Sequence, residues 1–263
     1  MMRNIIVTMK VTPKPEEIVF DSVTKTIDRS KATNEINPAD KNALEAALQI
    51  KDKYGGKVIV VSMGPPFWEP FLKLAIAMGA DDAVLISDRA LAGSDTLPTS
   101  LTLARAISKI GDFDIILTGE ESSDGGTGQV PPGIAAWLGI PHVTYVSQIE
   151  IVEKGRARVR RTIKGGYEIL EVETPFLASI ELGCNTPRFP DFRRKRWAER
   201  EFKLKVWTLA DLGLNPEEVG FKGSATTVES LLERKPPERL KRKIIGSPED
   251  IAEELARILR SLT

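Results

Sequence analysis

Asp114-Ile-Ile-Leu-Thr-Gly-Glu-Glu-Ser-Ser-Asp-Gly-Gly-Thr-Gly-Gln-Val-Pro-Pro-Gly-Ile-Ala-Ala-Trp-Leu-Gly139 is the stretch on which the fold turns. Ile115, Ile116 and Leu117 read as a short buried strand. A glycine-dense loop follows, with Ser122, Ser123, Asp124, Gly125, Gly126, Thr127 and Gly128. Ile134, Ala135, Trp137 and Leu138 then fall on the apolar positions of a helix. A strand, a glycine loop and a helix start together present backbone N–H groups and the positive end of a helix dipole to an anion. Glycines permit positive φ and close approach of phosphate oxygens. The loop is neither a P-loop nor GxGxxG, and taken alone it is equally well a tight surface turn.

The flanking sequence sets this stretch in a repeating pattern. Ile5, Ile6 and Val7, then Val58 to Val61, then Ala83 to Ile86 are continuous apolar runs of strand length. Helical patterns separate them. Asn37 reads as an N-cap and Pro38 as the first helical residue of one helix, which Gly55-Gly56 ends. A second helix carries Phe71 to Met78. A third runs from Leu97 to Ile110 behind the cap Ser94-Asp95-Thr96. Two short strands at Ile18-Val19-Phe20 and Thr26-Ile27-Asp28 suggest a hairpin. Strands without alternation are buried on both faces, so up to about residue 145 the chain reads as a doubly wound, mostly parallel α/β sheet. Such sheets bind ligands beyond the carboxyl ends of their strands. Three of those ends carry polar or glycine groups: Val7-Thr8-Met9-Lys10, Ser62-Met63-Gly64, and Thr118-Gly119 with its loop.

From Val143 the period changes to two. Tyr145 to Ile151, Ala157 to Ile163 and Glu168 to Val172 alternate, with turns at Gly155 and Lys164-Gly165-Gly166. This predicts an antiparallel extension with one wet face. Phe176 to Ile180 is a last apolar run. A basic segment containing Arg188, Arg193, Arg194, Lys195, Arg196 and Arg200 follows, flanking Phe192 and Trp197. It is either a solvated face or a contact surface for an acidic partner. Beyond residue 200 the apolar elements are isolated. Leu204 to Leu209 suggests a strand, Lys235-Pro236-Pro237 a linker, and Ser247-Pro248-Glu249-Asp250 the start of a helix whose Ile251, Leu255, Ile258, Leu259 and Leu262 share one side. This tail folds back or embraces a partner chain.

Composition narrows the function. The 263 residues hold 37 Lys and Arg against 37 Asp and Glu, which argues against a dedicated nucleic-acid binder. A single cysteine, Cys184, excludes an internal disulfide and a cysteine zinc cluster. The single histidine, His142, opens a strand pattern and reads as structural. No nucleophile and base stand out. No leader pattern and no apolar run of about 18 residues are found, so a cytoplasmic protein without a membrane span is expected.

In order and spacing, these segments resemble the β subunit of electron-transfer flavoprotein, FixA-type proteins included, over essentially the whole chain. The resemblance is carried by Val7 to Lys10, by Asn37-Pro38-Ala39-Asp40 before Leu44 to Leu48, and by Ser62-Met63-Gly64-Pro65 before Ala75 to Asp81. Asp124 to Val130 and a signature around Arg161, Gly165, Gly166, Glu168, Leu170 and Pro175 complete it. It implies a sheet of the adenine-nucleotide α-hydrolase-like type and an obligate heterodimer with an α subunit. That heterodimer carries FAD held mainly by the α subunit. The β subunit of the family holds AMP in simple carriers and a second FAD in electron-bifurcating relatives. Carried over by position, the nucleotide site comprises Thr8, Met9, Lys10, Asn37, Pro38, Ala39, Asp40, Met63, Asp124, Gly125, Gly126, Thr127, Gly128, Gln129 and Val130. Phe192, Arg193, Arg194, Lys195, Arg196 and Trp197 correspond to the loop that recognises dehydrogenase partners.

The resemblance implies a nucleotide-binding domain over residues 1–195 and an arm over residues 196–263 that packs on the α subunit. It implies an electron carrier, an oxidoreductase only as part of the αβ complex. Such a carrier passes electrons from dehydrogenases or NADH to a quinone oxidoreductase or ferredoxin. Ala39 stands where the family carries an aromatic residue, Lys164 replaces an acid and Ala178 an aliphatic one. The basic segment lacks the family's Leu-Pro-x-Ile-Met-Lys-Ala wording. A stand-alone ATP- or AMP-binding module of the universal-stress-protein-like type explains about the first 140 residues but neither the extension nor the tail. An ATP-pyrophosphatase-like enzyme requires Ser-Gly-Gly-x-Asp after the first strand, where this chain has Thr8-Met9-Lys10-Val11-Thr12.

Overall fold

A computed structural model describes residues 4–14, 20–21, 26–27, 33–227 and 243–261. Two compact units emerge, Met1–Glu229 and Ser230–Thr263.

The first unit is built on β1 (Asn4–Thr8), β6 (Lys57–Met63), β7 (Asp82–Ile86), β8 (Phe113–Gly119), β12 (Phe176–Ile180) and β13 (Lys205–Trp207). Two minor pairs lie outside this sheet, β2 (Val11–Pro13) with β5 (Asn34–Ile36), and β3 (Phe20–Asp21) with β4 (Thr26–Ile27). The expected hairpin survives as the latter antiparallel pair; Ile18, Val19 and Asp28 lie outside the described residues. With β9 (His142–Glu153), β10 (Arg156–Ile163) and β11 (Gly166–Glu173), the main sheet has nine strands in the order β11-β10-β9-β12-β8-β1-β6-β7-β13. β12, β8, β1, β6, β7 and β13 run parallel. β9 pairs parallel with β12 and antiparallel with β10, and so joins the parallel sheet to the extension. The expected alternation holds in β10, where Ala157 and Val159 are buried between exposed arginines. Among the described residues, β11 is the free edge on that side.

The parallel strands are dry on both faces because α-helices cover both. Ile5 and Val7 point to a core shared with α1 (Pro38–Tyr54) and α2 (Glu69–Met78). Ile6 points to a core shared with α3 (Thr96–Ile110), α4 (Val130–Leu138) and α6 (Leu209–Leu212). α5 (Phe192–Arg200) lies against α2. The remaining short helix, α7 (Gly220–Gly223), follows α6. β13 is added beside β7, so residues 205–207 belong to the main sheet. The chain runs from β1 outward to β6 and β7, then returns to place β8 on the other side of β1. That reversal opens a crevice at the carboxyl ends of β1 and β8.

Trp137 departs from the expected buried helix face. It is 51% exposed, with its indole Nε1–H donated to Ser100 Oγ at 3.2 Å. α4 meets α3 closely through Gly133, where a Cβ would stand 2.7 Å from Ser100 Oγ. That contact buries Ile134 and Ala135 and leaves the indole along the seam with its polar edge bonded.

In the second unit, α8 (Pro248–Arg260) begins with a reciprocal cap. Ser247 Oγ accepts from the Asp250 N–H, and Asp250 Oδ2 accepts from the Ser247 N–H at 3.1 Å. Leu255 and Leu259 on its apolar side are about half exposed. Leu262 and the Lys235-Pro236-Pro237 linker fall outside the described residues.

Candidate functional site

The ends of β1, β6, β7 and β8 open on a cleft of about 880 Å³. Of the expected residues, Thr8, Met9, Lys10, Asn37, Asp40, Met63, Gly125, Thr127, Gly128 and Val130 line it. Pro38, Ala39, Asp124, Gly126 and Gln129 stand behind or beside the lining.

Asp40 and Asn37, at the start of α1, tie the cleft floor together. Asp40 Oδ2 accepts from the Lys10 N–H at 2.7 Å and Oδ1 from the Gly119 N–H at 3.0 Å. One carboxylate therefore joins the ends of two parallel strands. Gly119 must be glycine, since a Cβ would stand 2.4 Å from Asp40 Oδ1 and 2.8 Å from the Ala39 methyl. Burial pushes the Asp40 carboxyl up to about 6, against the opposing pull of the hydrogen bonds from Lys10, Asn37 and Gly119. Asn37 is at the N-cap as expected, but its side chain makes no cap bond. Its Nδ2–H goes to the Glu121 carbonyl at 2.9 Å, and its Oδ1 accepts from the Ser123 N–H at 3.1 Å. Asn37 thus holds the glycine loop against α1.

The loop is organised from within. The Gly125 and Gly126 N–H groups both donate to the Ser122 carbonyl, at 3.2 and 2.8 Å. Those two amides shape the turn, while Gly125 also lines the cleft. Gly126 and Gly128 have φ of +58° and +60°, the left-handed region that glycine adopts without strain. Asp124 is turned away from the opening and pairs with Lys10 Nζ at 2.5 Å, its side chain only 5% exposed. Lys10 Nζ also donates to Ser122 Oγ at 3.2 Å. Gln129 accepts from Thr96 Oγ1 at 3.0 Å, and Thr127 Oγ1 accepts weakly from the Gln129 N–H at 3.4 Å. Ala39 packs under Gly119, and Pro38 opens α1.

One wall of the cleft, Ser87 to Arg89, Leu91 to Thr96 and Thr99, escaped the sequence reading, while the expected strand end at Met63-Gly64 continues through Pro65, Pro66 and Trp68 along another side. The signal was available, because Ile86-Ser87-Asp88 ends a parallel strand as surely as Ser62-Met63-Gly64 does. The cap Asp95 was correctly placed, with Oδ1 accepting from the Leu97 N–H at 2.9 Å, yet its position beside the opening depends on strand order. Trp68 closes over Gly64, whose missing Cβ would stand 2.1 Å from the indole ring.

The basic segment lies on other elements. Phe192, Arg193, Lys195 and Arg196 are exposed along α5, and Trp197 is 42% exposed beside the Phe202 ring. Arg194 turns inward, donating to the Ile76 and Ala80 carbonyls at 3.0 and 2.7 Å. Upstream, Arg188 pairs with Glu45 at 2.8 Å and Asp52 at 2.9 Å. Burial raises the Glu45 carboxyl, but the Arg188 hydrogen bonds outweigh it and hold the group below its ordinary value.

The electron transfer flavoprotein domain family matches residues 24–212. The chain is similar to electron transfer flavoprotein subunit beta of Thermoanaerobacterium thermosaccharolyticum, 46% identical over 225 residues that make up 86% of each chain. It is similar to protein FixA of Azotobacter vinelandii, 44% identical over 237 residues, 88% of this chain and 84% of that one. It is also similar to subunit CarD of the caffeyl-CoA reductase-Etf complex of Acetobacterium woodii, 42% identical over 225 residues and 85% of each chain. With a parallel sheet, an antiparallel extension and a cleft at the strand ends, the chain belongs to the electron transfer flavoprotein family, in its β-subunit and FixA branch.

Proposed function

We propose that this chain pairs with an α subunit in a cytoplasmic electron carrier and that its cleft holds a nucleotide, AMP or a second FAD. The observation that carries this reading is the convergence of four strand ends and a glycine loop on one cleft. A volume of about 880 Å³ is near the top of the range of about 300–1,000 Å³ typical of small-molecule sites. That size favours the dinucleotide. The residues present fit such a group. Gly125 and Gly128 bring the loop backbone to the cleft lining, so a ligand can approach it there. Thr127, Gly128 and the Val130 N–H would hold phosphate, with the dipole of α4 assisting, while Pro131 and Pro132 in its first turn have no N–H to add. The groups following Val7 and the Met63 side chain would meet the base. Lys10, committed to Asp124, keeps the loop in place.

A bound flavin supplies the redox chemistry; the chain supplies binding, orientation and exclusion of water. The relative named as a subunit of a reductase complex supports a dehydrogenase-type redox partner. The exposed face of α5, with Phe192, Arg193, Lys195 and Arg196, is the surface we assign to it.

Co-expression with an α-type chain, followed by denaturation and identification of the released nucleotides, tests the reading. Two FAD per heterodimer indicates the second flavin and electron bifurcation. One FAD with one AMP indicates a simple carrier. A colourless pair that does not associate would overturn the proposal.

A further inference from the structure

The missed wall of the cleft is held from behind by the segment Val219–Thr226. In sequence, this segment leads towards the unit Ser230–Thr263. Ser94 Oγ accepts from the Gly220 N–H at 3.0 Å and donates to the Leu91 carbonyl at 2.7 Å. Ser224 Oγ accepts from the Asp95 N–H at 2.9 Å, and carbonyls of Gly93 and Gly220 lie within reach of its single proton at 3.1 and 2.7 Å. Asp95 divides its carboxylate. Oδ1 caps α3, while Oδ2 accepts both the N–H and the hydroxyl of Thr226, at 2.8 and 2.9 Å.

The two backbones also touch directly. A Cβ at Gly220 would stand 2.1 Å from the Ala90 carbonyl oxygen, and one at Gly93 would stand 2.4 Å from the Phe221 ring. Both glycines have positive φ, +62° and +78°. Gly93, Ser94, Asp95 and Thr96 line the cleft, so the same short run has the cleft on one side and this segment's contacts on the other. Thr96 continues to Gln129 at the end of the glycine loop.

We propose that Val219–Thr226 is a positioning element of the nucleotide site, so that occupancy of the cleft and anchorage of this segment strengthen each other. The proposal rests on the reading that the cleft holds a nucleotide. If the segment detaches, the polar groups of residues 93–95 lose their partners, and ordering that wall becomes a cost of ligand binding. The dissociation constant is then divided by the fraction of molecules with the wall in place, so affinity falls in proportion to that fraction. Linkage makes the effect reciprocal, and the ligand must lower the population with the segment detached. The functional site therefore extends beyond residue 195 to Thr226.

The test uses the full chain, in complex with an α-type chain. AMP and FAD are each titrated by calorimetry into the unaltered chain, Thr226→Val, Ser224→Ala and Thr226→Ser, and amide exchange of residues 219–226 is followed with and without nucleotide. The first two substitutions are expected to weaken binding roughly five- to tenfold, and Thr226→Ser to stay within about twofold of the unaltered chain. Saturating nucleotide should slow exchange in 219–226. If nucleotide binds but affinity and exchange do not change, the proposal falls and the nucleotide reading stands. If the unaltered chain, in complex with an α-type chain, binds neither AMP nor FAD, both fall. Should Thr226→Val fail to fold, the exchange measurement on the unaltered chain decides.

Discussion

Asp40 spends both carboxylate oxygens on backbone amides at the ends of β1 and β8, in a site dry enough to push its titration up to about 6. A raised carboxyl favours the protonated folded state, so deprotonation costs stability as pH rises from about 4 through 6. Asp40→Asn removes that titration. The stability of the unaltered chain relative to Asp40→Asn should therefore fall by up to about 3 kcal/mol between pH 4 and pH 7, because each tenfold change in proton affinity is worth about 1.4 kcal/mol. Urea unfolding at intervals across that range measures it, and parallel pH profiles would refute it. Asn37→Ala cuts two bonds to the glycine loop while leaving the helix start, whose cap is backbone only. A loss of about 1–2 kcal/mol is expected, together with faster exchange at Ser123. The sequence marked Asn37 and Asp40 as site residues, but their work is internal. Their partners lie some 30 to 86 positions away, a separation that no local pattern encodes.

At the scale of elements, the parallel strands were legible because burial on both faces leaves continuous runs such as Val58 to Val61. The antiparallel extension was legible for the opposite reason, since one wet face enforces alternation in β10, although at the sheet edge β11 is exposed on both faces except at Val172. The cleft wall after β7 was not, because its role follows from strand order. The loop leading to α5 shows how a surface segment is fixed. Arg188 bridges to Glu45 and Asp52 on α1, Asn42 and Asn185 exchange amide bonds at 2.7–3.0 Å, and Arg194 reaches the end of α2. Arg188→Ala takes the guanidinium from Glu45, which is only 4% exposed and keeps just the backbone N–H of residue 188 and the Gln49 amide as donors. Discounted for the partial exposure of the arginine, a cost of about 2–3 kcal/mol is expected. Glu45→Gln in the same background should recover part of it. A double-mutant cycle with no coupling would show that the pair does not anchor the loop. The anchored loop holds Phe189 and Phe192 out at 94% and 79% exposure, so the surface assigned to the redox partner is presented rigidly.

For the whole chain, charge balance and the single cysteine narrowed the chemistry before any element was placed. On the proposed partner surface, Lys195→Glu with Arg196→Glu should slow association with an acidic redox partner by about tenfold at low salt and much less at high salt. Stopped-flow reduction at several ionic strengths reads this directly, and a salt-independent rate would argue against electrostatic docking. The edge strand β11 has a separate bearing on how the protein behaves in the tube. Among the described residues, its eight residues leave one row of backbone donors and acceptors without a neighbouring strand, with Tyr167 and Ile169 more than half exposed along it. Such an edge is a template for stacking one copy on another. Glu173 supplies repulsion between copies, Glu168 and Glu171 being paired with Arg161 and with Arg156 and Arg158 of β10, and salt shortens the reach of that repulsion to about 3 Å at 1 M. Concentrated salt should therefore raise the light scattering of the isolated chain, and Ile169→Lys should suppress the rise. β11 thus makes colloidal stability, as much as folding, a constraint on this sequence.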